Sequence, residues 1–272
     1  MDLSNFIIYA DMDGTTLTDW DRGPTVPQRN LEGMARLMRE GGAFSIASGR
    51  QYQETMSFFP EHFFNAPSVQ ANGAAIWDCA ADTVIRTTPI PQLCKEELVE
   101  YTRRFKNLWL APADTDRIYE VEFGDERDGT LTDSPKPRDR ISIADFYSHD
   151  FMKACFILGD AADMPRLRRD FDAMECSRLL NSSTSSPIYF ECYDKTVDKG
   201  KGVLEARRLS GNEDKLLVCI GDFYNDMSML LAADIAACPD NAPQGIKDVC
   251  RIVTCSNNEG AVGELIEILA RL

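Results

Sequence analysis

Acidic and hydroxyl side chains follow apolar segments at three separate places in the chain. Asp11 and Asp13 come after one apolar run, Ser48 ends another, and Asp222 and Asp226 follow a third. Because the carboxyl ends of parallel strands lie along one edge of a sheet, we expect these side chains to meet. Four carboxylates about 4 Å apart would repel by about 4 kcal/mol per pair at an effective dielectric constant of about 20, so protons or a hard divalent cation must join them.

The available ligand chemistry favours Mg²⁺ over other metals. The aspartates offer only oxygen, and Mg²⁺ prefers carboxylates, water and substrate phosphate oxygens. The two histidines, His62 and His149, lie outside these segments, which disfavours zinc or Ser-His-Asp chemistry. Lys199 alone cannot offset four carboxylates. The predicted metal ligands are Asp11, Asp13, Asp222 and Asp226.

These residue types suit phosphoryl transfer. A carboxylate beside Mg²⁺ and a lysine stays ionised, so Asp11 can attack phosphorus and form an aspartyl phosphate. Asp13, two residues further on, can protonate the leaving oxygen and then activate water. Ser48 and its neighbouring amides, among them that of Gly49, can hold the phosphoryl oxygens together with Lys199.

Alternating strands and helices predict a fold that brings these residues together. Continuous apolar runs indicate strands that are buried on both faces, and helices between them indicate a doubly wound parallel sheet, an α/β Rossmann-like core. Thr25 is the predicted N-cap of the first helix. The predicted strands are 6–10, 43–47, one from 68, 216–220, 235–237 and 251–254, and the predicted helices are 25–39, 203–209, 226–233 and 260–272.

The middle of the chain combines short alternating strand patterns with helical segments, which predicts an inserted α+β domain. We assign residues 1–80 and 190–272 to the core and 81–189 to the insert. Short alternating strands are predicted at 82–87 and 117–123, with helices at 95–105 and 164–174 and a loop over 124–140. We expect the insert to act as a cap that closes over the site and shapes specificity.

Composition restricts the partners. The chain has 272 residues, 44 of them acidic and 29 basic, and its net charge of −15 would be repelled by nucleic acid and by anionic membranes. A small phosphorylated metabolite is compatible, because a local positive pocket overrides a distant field. No apolar window is long enough for a membrane span and no signal peptide is evident. Nine scattered cysteines suggest free thiols in a reducing cytoplasm. Nothing indicates an oligomeric state.

Four segments resemble the motifs of the haloacid dehalogenase (HAD) superfamily: DMDGTTL, IASGR, VDKGKG and GDFYNDMSML. Their order and wide spacing resemble its Cof-like branch, whose members carry a large α/β cap between the second and third motifs. Asn72-Gly73-Ala74 and the segments 240–242 and 256–262 add to the resemblance. The match covers both predicted core segments.

The resemblance implies a role for each matching residue. Asp11 matches the nucleophile, and Asp13 matches the acid/base, which also offers its main-chain carbonyl to the metal. Ser48 and Lys199 match the phosphate-binding residues of the second and third motifs. The remaining implied residues are Asp222 as a metal ligand, Asn225 and Asp226 as its supporting pair, and Asn72 as a candidate substrate contact.

Some assignments stay open on the sequence alone. Lys195 and Lys201 are rivals of Lys199, which we prefer because it precedes Gly200 at a helix start. Arg50 fits either the site or a structural ion pair. Phe223-Tyr224 is bulky where small residues are common in the family, which predicts a narrower mouth of the site.

The sequence therefore predicts a Mg²⁺-dependent phosphatase that hydrolyses small phosphate monoesters through an aspartyl phosphate. The resemblance implies sugar phosphates as substrates. A phosphomutase on the same scaffold is the alternative, and a non-enzymatic phosphoryl-accepting module resembling a response-regulator receiver is a third reading. The particular substrate is not encoded in any motif of the insert.

Overall fold

The computed structural model describes residues 2–124 and 138–272. The described strands are β1 (Phe6–Ala10), β2 (Ala43–Ile46), β3 (Ser68–Gln70), β4 (Ala75–Asp78), β5 (Thr83–Thr87), β6 (Leu108–Ala113), β7 (Tyr119–Glu122), β8 (Asp139–Ser142), β9 (Lys153–Leu158), β10 (Leu180–Ser186), β11 (Tyr189–Asp194), β12 (Leu216–Ile220), β13 (Ile235–Pro239) and β14 (Ile252–Thr254). The described helices are α1 (Gln28–Arg39), α2 (Tyr52–Met56), α3 (Gln92–Arg103), α4 (Ile143–Ser148), α5 (Met164–Ala173), α6 (Lys199–Leu209), α7 (Met227–Ala232), α8 (Gln244–Lys247) and α9 (Ala261–Leu269).

The chain folds into two compact units. The first comprises Met1–Arg86 and Asp198–Leu272, and the second comprises Thr87–Val197. Both boundaries lie a few residues later than the sequence suggested, because long-range backbone pairing decides where β5 and β11 belong. β5 joins the sheet of β3 and β4, and β11 lies in the second unit between β9 and β10.

The first unit is built on a five-stranded parallel sheet in the order β14-β13-β12-β1-β2. Its strand order reverses at β1, since the chain adds β2 on one side and later β12 on the other. This confirms the predicted doubly wound α/β core. The carboxyl ends next to such a reversal form the usual ligand crevice of the fold.

Apolar alternation along the strands explains why helices cover both faces of this sheet. Phe6 and Ile8 of β1 pack in one cluster with residues of α1 and α9, while Ile7 and Tyr9 pack in another with residues of α6 and α7. All five residues of β1 are buried. Burial on both sides gives the continuous apolar runs seen in the sequence.

The start of one helix differs from the prediction, and the start of another agrees with it. Helix α1 begins at Gln28 and not near Thr25, because Thr25 pairs with Thr18: the Thr18 amide donates to the Thr25 carbonyl at 2.9 Å, and the Thr25 amide donates to the Thr18 hydroxyl at 3.0 Å. Helix α6 begins at Lys199, in agreement with the expected helix start at Lys199-Gly200, and it contains the predicted helical segment 203–209. The Asp198 side chain caps it by accepting from the Lys201 amide at 2.8 Å.

The second unit has a four-stranded antiparallel sheet in the order β10-β11-β9-β6, and a parallel pair, β7 and β8. An apolar cluster on one face includes residues of α3, α4 and α5. The predicted loop 124–140 falls mostly outside the described residues, and its last two positions belong instead to β8. Within the described ranges, no helix is long and apolar enough to cross a bilayer.

Candidate active site

Backbone hydrogen bonds draw the ends of four strands to one place. The Asp11 amide donates to the Ile220 carbonyl at the end of β12 at 2.9 Å, and the Ala47 amide donates to the Ala10 carbonyl at 2.9 Å. The Ser48 amide donates to the Val69 carbonyl of β3 at 2.8 Å. The residues that follow β1, β2 and β12 therefore share one edge of the sheet, as the sequence predicts.

The turn after β1 presents Asp11 and allows Asp222 to approach. The Thr16 hydroxyl donates to the Asp11 carbonyl at 2.5 Å, which closes the turn on itself. Gly14 has φ of +72°, and a Cβ placed on it would lie 2.5 Å from a carboxylate oxygen of Asp222. Only glycine suits both the left-handed backbone and this close approach.

Lys199 is fully buried and joins two acids. Its ammonium donates to Asp11 Oδ1 at 2.5 Å and to Asp226 Oδ1 at 2.6 Å. The rival lysines are elsewhere: Lys201 is mostly exposed beside Asp198, and Lys195 lies on the surface of the second unit. The ammonium that the structure brings to Asp11 is that of Lys199.

Asp226 is held by donors on both of its oxygens. Besides Lys199 on Oδ1, the backbone amides of Asp222 and Phe223 donate to Oδ2 at 3.0 and 3.1 Å. Its carboxylate is completely buried. These contacts fix the loop after β12 and hold Lys199 against Asp11.

Asp11, Asp222 and Asp226 form a cluster of carboxylates suited to a cation. Each offers one oxygen, and the three oxygens lie within 4.8 Å of one another. Opposite ligands in a Mg²⁺ octahedron are about 4.2 Å apart, so a small adjustment would accommodate the ion. The Thr15 hydroxyl donates to Asp222 Oδ1 at 3.0 Å and orients that carboxylate. Because both oxygens of Asp226 already accept hydrogen bonds, Asp11 and Asp222 fit the role of direct ligands best.

The side chain of Asp13 belongs to a different group. Arg50 donates to its two oxygens from Nε at 2.8 Å and from the terminal nitrogen at 2.6 Å. The Trp20 indole nitrogen donates to Oδ1 at 3.0 Å. Arg50 also forms an ion pair with Glu54. Arg50 therefore contacts a candidate site residue, Asp13, and at the same time belongs to an ion pair within its own segment.

The turn after β2 is tied to the turn after β3. The Ser48 hydroxyl accepts from the Arg50 amide at 3.1 Å, and the Asn72 amide donates to the Ser48 carbonyl at 3.0 Å. A Cβ on Gly49 would lie 3.1 Å from the Asn72 side chain. Ser48, Gly49 and Asn72 therefore lie together, at the edge where β1 and β2 end.

Gly73 connects this turn to the start of α6. It has φ of +99°, and a Cβ there would lie 2.3 Å from the Asp198 carbonyl. The close approach places the turn after β3 against the first residues of α6, which carries Lys199. Asn225 lies half-buried in the short turn that precedes α7.

Burial and neighbouring charges both shift the pKa values of the buried groups at the site. Burial and the nearby charge of Asp226 raise the pKa of Asp11 well above its usual range, although Lys199 acts against this. Burial alone would lower the pKa of Lys199, but Asp11 and Asp226 outweigh it and keep the ammonium charged. Burial followed by the charge of Asp226 raises the pKa of Asp222 to about 7. Such a cluster gains from a divalent cation.

Without divalent cations, we expect the stability of the protein to fall as the pH rises from about 4 to about 7 because of Asp222. The pKa of Asp222 is raised from 3.8 to about 7 in the folded state, so the folded state binds more protons than the unfolded state in this range. Thermal unfolding in EDTA at a series of pH values measures the slope.

Asp222→Asn should flatten this slope, whereas Asp21→Asn, which changes an exposed acid, should preserve it. An identical slope in the wild type and in Asp222→Asn would contradict the assignment. Added Mg²⁺ should raise the midpoint more at pH 8 than at pH 5, because the ion competes with protons for the same oxygens.

Sequence reasoning missed two contributors to the site. Thr15 lies inside the quoted DMDGTTL motif, and its hydroxyl reaches Asp222 across 207 positions of sequence. Trp20 gave no signal, because an exposed aromatic residue in a polar stretch is unremarkable without its contact to Asp13. Both contacts depend on tertiary structure that no local pattern reveals.

Comparison with known proteins places the chain in a family. The model of the haloacid dehalogenase-like hydrolase family matches residues 8–266. The chain belongs to this family.

Named relatives align along nearly their whole length. Pyridoxal phosphate phosphatase YbhA of Escherichia coli (strain K12) is 25% identical over 267 residues, covering 96% of this chain and 97% of the relative. The 5-amino-6-(5-phospho-D-ribitylamino)uracil phosphatase YitU of Bacillus subtilis (strain 168) is 21% identical, covering 98% of each. Together with the family match, they confirm the resemblance drawn from the motifs and the prediction of a phosphatase-type enzyme.

Solved structures confirm the fold. The HAD subclass IIB sugar phosphatase BT4131 superimposes with a TM-score of 0.77 at 17% identity, covering 98% of this chain and 99% of that one. A protein from Thermotoga maritima, TM0651, superimposes with a TM-score of 0.78 at 23% identity, covering 96% of each chain.

Proposed function

We propose that this protein is a Mg²⁺-dependent phosphatase that hydrolyses small phosphate monoesters through an aspartyl phosphate on Asp11. One observation carries the proposal: the buried Asp11 carboxylate contacts Lys199 at 2.5 Å within a cluster that includes Asp222 and Asp226. A nucleophile for phosphorus needs cationic neighbours that reduce the repulsion between two anions.

Asp11 and Asp222 would hold the cation. Bound there, Mg²⁺ would neutralise charge on the phosphoryl oxygens and orient them. Asp13 would add its main-chain carbonyl, as the family resemblance implies. Asp226 acts indirectly, because it holds Lys199 and the loop that carries Asp222.

The residues of this chain then divide the reaction into two displacements. A carboxylate oxygen of Asp11 attacks phosphorus, and the bond to the ester oxygen breaks. Lys199, the Ser48 hydroxyl and the amides near Gly49 bind the phosphoryl oxygens, and Asn225 and Asn72 are further candidate contacts. Water then attacks phosphorus, the bond to Asp11 breaks, and inorganic phosphate leaves.

Asp13 moves the protons in both steps. It gives a proton to the departing ester oxygen, and it later takes one from the attacking water. Burial alone would raise the pKa of Asp13, but the hydrogen bonds and the charge of Arg50 hold it below its usual value. The contact with Arg50 therefore favours the ionised form of Asp13, which activates water. To protonate the leaving group, Asp13 must loosen its contact with Arg50.

The substrate class rests on the relatives. YbhA and YitU are named for pyridoxal phosphate and for a phosphoribitylamino uracil, and each is a small phosphate monoester. Sugar phosphates, which the family resemblance implies, belong to the same class. The role of the second unit as a closing cap stays a prediction.

We expect hydrolysis of p-nitrophenyl phosphate with Mg²⁺ and loss of at least about 100-fold of that rate in EDTA, because charge neutralisation by the metal contributes several kcal/mol. Release of inorganic phosphate measures the reaction. Restoring Mg²⁺ after chelation should restore activity, which separates metal loss from unfolding. Equal rates with and without the metal would contradict the proposal, and transfer of phosphate to a sugar rather than to water would indicate the phosphomutase.

A further inference from the structure

Trp20 is an exposed aromatic residue that is hydrogen-bonded to Asp13, the candidate acid/base. It is 61% exposed, whereas Trp77 and Trp109 are 7% and 6% exposed. Its indole nitrogen donates to Asp13 Oδ1 at 3.0 Å. A single exposed ring is common on protein surfaces, but this ring is also hydrogen-bonded to the candidate acid/base and is open to solvent beside it.

The ring is held in place by more than one contact. The Arg50 guanidinium lies over it, 5.0 Å from the ring centre, and also lies 5.4 Å from the centre of the Phe58 ring. Arg50 is itself 8% exposed and is anchored by Asp13 and Glu54. The indole is oriented by two contacts: the Arg50 guanidinium lies over the ring, and the ring nitrogen donates a hydrogen bond to Asp13.

In the proposed mechanism, the leaving group of the substrate lies close to Trp20. Asp13 protonates the leaving oxygen in the proposed mechanism, so that oxygen comes within hydrogen-bond distance of Asp13. Two successive hydrogen bonds and the width of a carboxylate place the indole nitrogen roughly 6 to 8 Å from it. A ring joined to that oxygen through one carbon reaches the exposed indole.

We propose that Trp20 is a stacking platform for the leaving group, so that the enzyme prefers phosphate esters in which a planar aromatic ring is carried one carbon from the ester oxygen. This inference rests on the proposed phosphatase function and narrows its substrate class. Stacked aromatic pairs prefer offset geometry and gain affinity beyond the area that they bury, which a saturated ring of equal size does not.

Benzyl phosphate and cyclohexylmethyl phosphate test the platform, because the two differ only in whether the ring is planar and aromatic. We expect kcat/KM to be about three- to tenfold higher for benzyl phosphate, expressed mainly in KM. Trp20→Leu should bring the ratio close to one. Because Trp20 is exposed, this variant should retain the thermal midpoint of the wild type.

Trp20→Phe separates the ring from the N–H donor. It keeps an aromatic face and loses the hydrogen bond to Asp13, so kcat should fall for both esters while most of the preference for benzyl phosphate remains. A structural role alone would lower both rates without changing the ratio in Trp20→Leu. Equal kcat/KM for the two esters in the wild type, or an unchanged ratio in Trp20→Leu, would overturn the inference.

Ligand binding can be followed without turnover. 2-Phenylethylphosphonate, in which a methylene group replaces the ester oxygen and no ester bond can be cleaved, should quench the fluorescence of exposed Trp20. Trp20→Phe should abolish most of that change, while 2-cyclohexylethylphosphonate causes little in either protein. Absence of quenching at saturation would overturn the platform. Failure to hydrolyse any ester, including p-nitrophenyl phosphate, would instead overturn the proposed function.

Discussion

Asp11→Asn is expected to lower kcat by about 10⁴-fold or more while leaving the fold intact. The substitution keeps the size of the side chain and replaces the carboxylate nucleophile by a neutral amide. An amide does not form the acyl phosphate, so activity that depends on this intermediate cannot be rescued by Mg²⁺ or by higher substrate concentration. The loss should appear in kcat for every ester tested.

Stability should not follow activity in this variant. Asp11 is buried beside two other carboxylates, and burial together with the charge of Asp226 raises its pKa, so its charge is unfavourable in the folded state. Lys199 also contacts Asp226, at 2.6 Å, so we expect it to retain a charged partner when residue 11 becomes neutral. We therefore expect the thermal midpoint of Asp11→Asn, measured in EDTA, to equal or exceed that of the wild type.

Rapid quenching in acid provides the direct measurement. Mass spectrometry of the wild type mixed with substrate should find one added phosphoryl group on the peptide that contains residue 11, and Asp11→Asn should show none. Asp21→Asn, an exposed acid on the segment that follows, is the matched control and should keep full activity. Wild-type turnover in Asp11→Asn would reject Asp11 as the nucleophile.

The sequence predicted the core of the site because strand burial leaves a strong local signal. All residues of β1 are buried, so the strand is a continuous apolar run and the polar residue that ends it is conspicuous. The same applies to β2 and to most of β12. Parallel topology then carries the polar residues that follow these strands to one edge without any further information.

The contacts that refine the site could not be predicted in this way. Arg50 reaches Asp13 across 37 positions, and its choice of Asp13 and Glu54 among 44 acidic residues depends on the position of the turn after β2. The start of α1 moved because Thr25 pairs with Thr18 and is unavailable as a cap. Local propensity does not predict such pairings, because many partners are chemically equivalent until the chain is folded.

Lys199→Met is expected to lower the free energy of unfolding by about 3–5 kcal/mol and to abolish activity. It removes the cation that, among the described residues, contacts both Asp11 and Asp226. The variant keeps the hydrophobic stem but leaves buried carboxylates without their partner. Removing one member of a buried ion pair costs more than the pair contributes, since the desolvation penalty of the remaining charge is no longer offset.

Second substitutions distinguish this cause from a packing defect. Adding Asp226→Asn to Lys199→Met should recover part of the lost stability, because it removes one of the uncompensated charges. A packing defect would give additive losses instead. Lys201→Met, two residues away, is the matched control: its ammonium is mostly exposed, 3.3 Å from Asp198, so the loss should stay below about 1 kcal/mol.

The pH dependence gives Lys199→Met a further signature. Protons neutralise unpaired carboxylates, so the deficit relative to the wild type should be smaller at pH 5 than at pH 8. Burial already raises the pKa of Asp11, and loss of the ammonium that opposes this raises it further. Urea unfolding in EDTA at both pH values measures the difference. A deficit that is independent of pH would show that Lys199 stabilises the fold by packing, and its role beside the nucleophile would then lose its electrostatic basis.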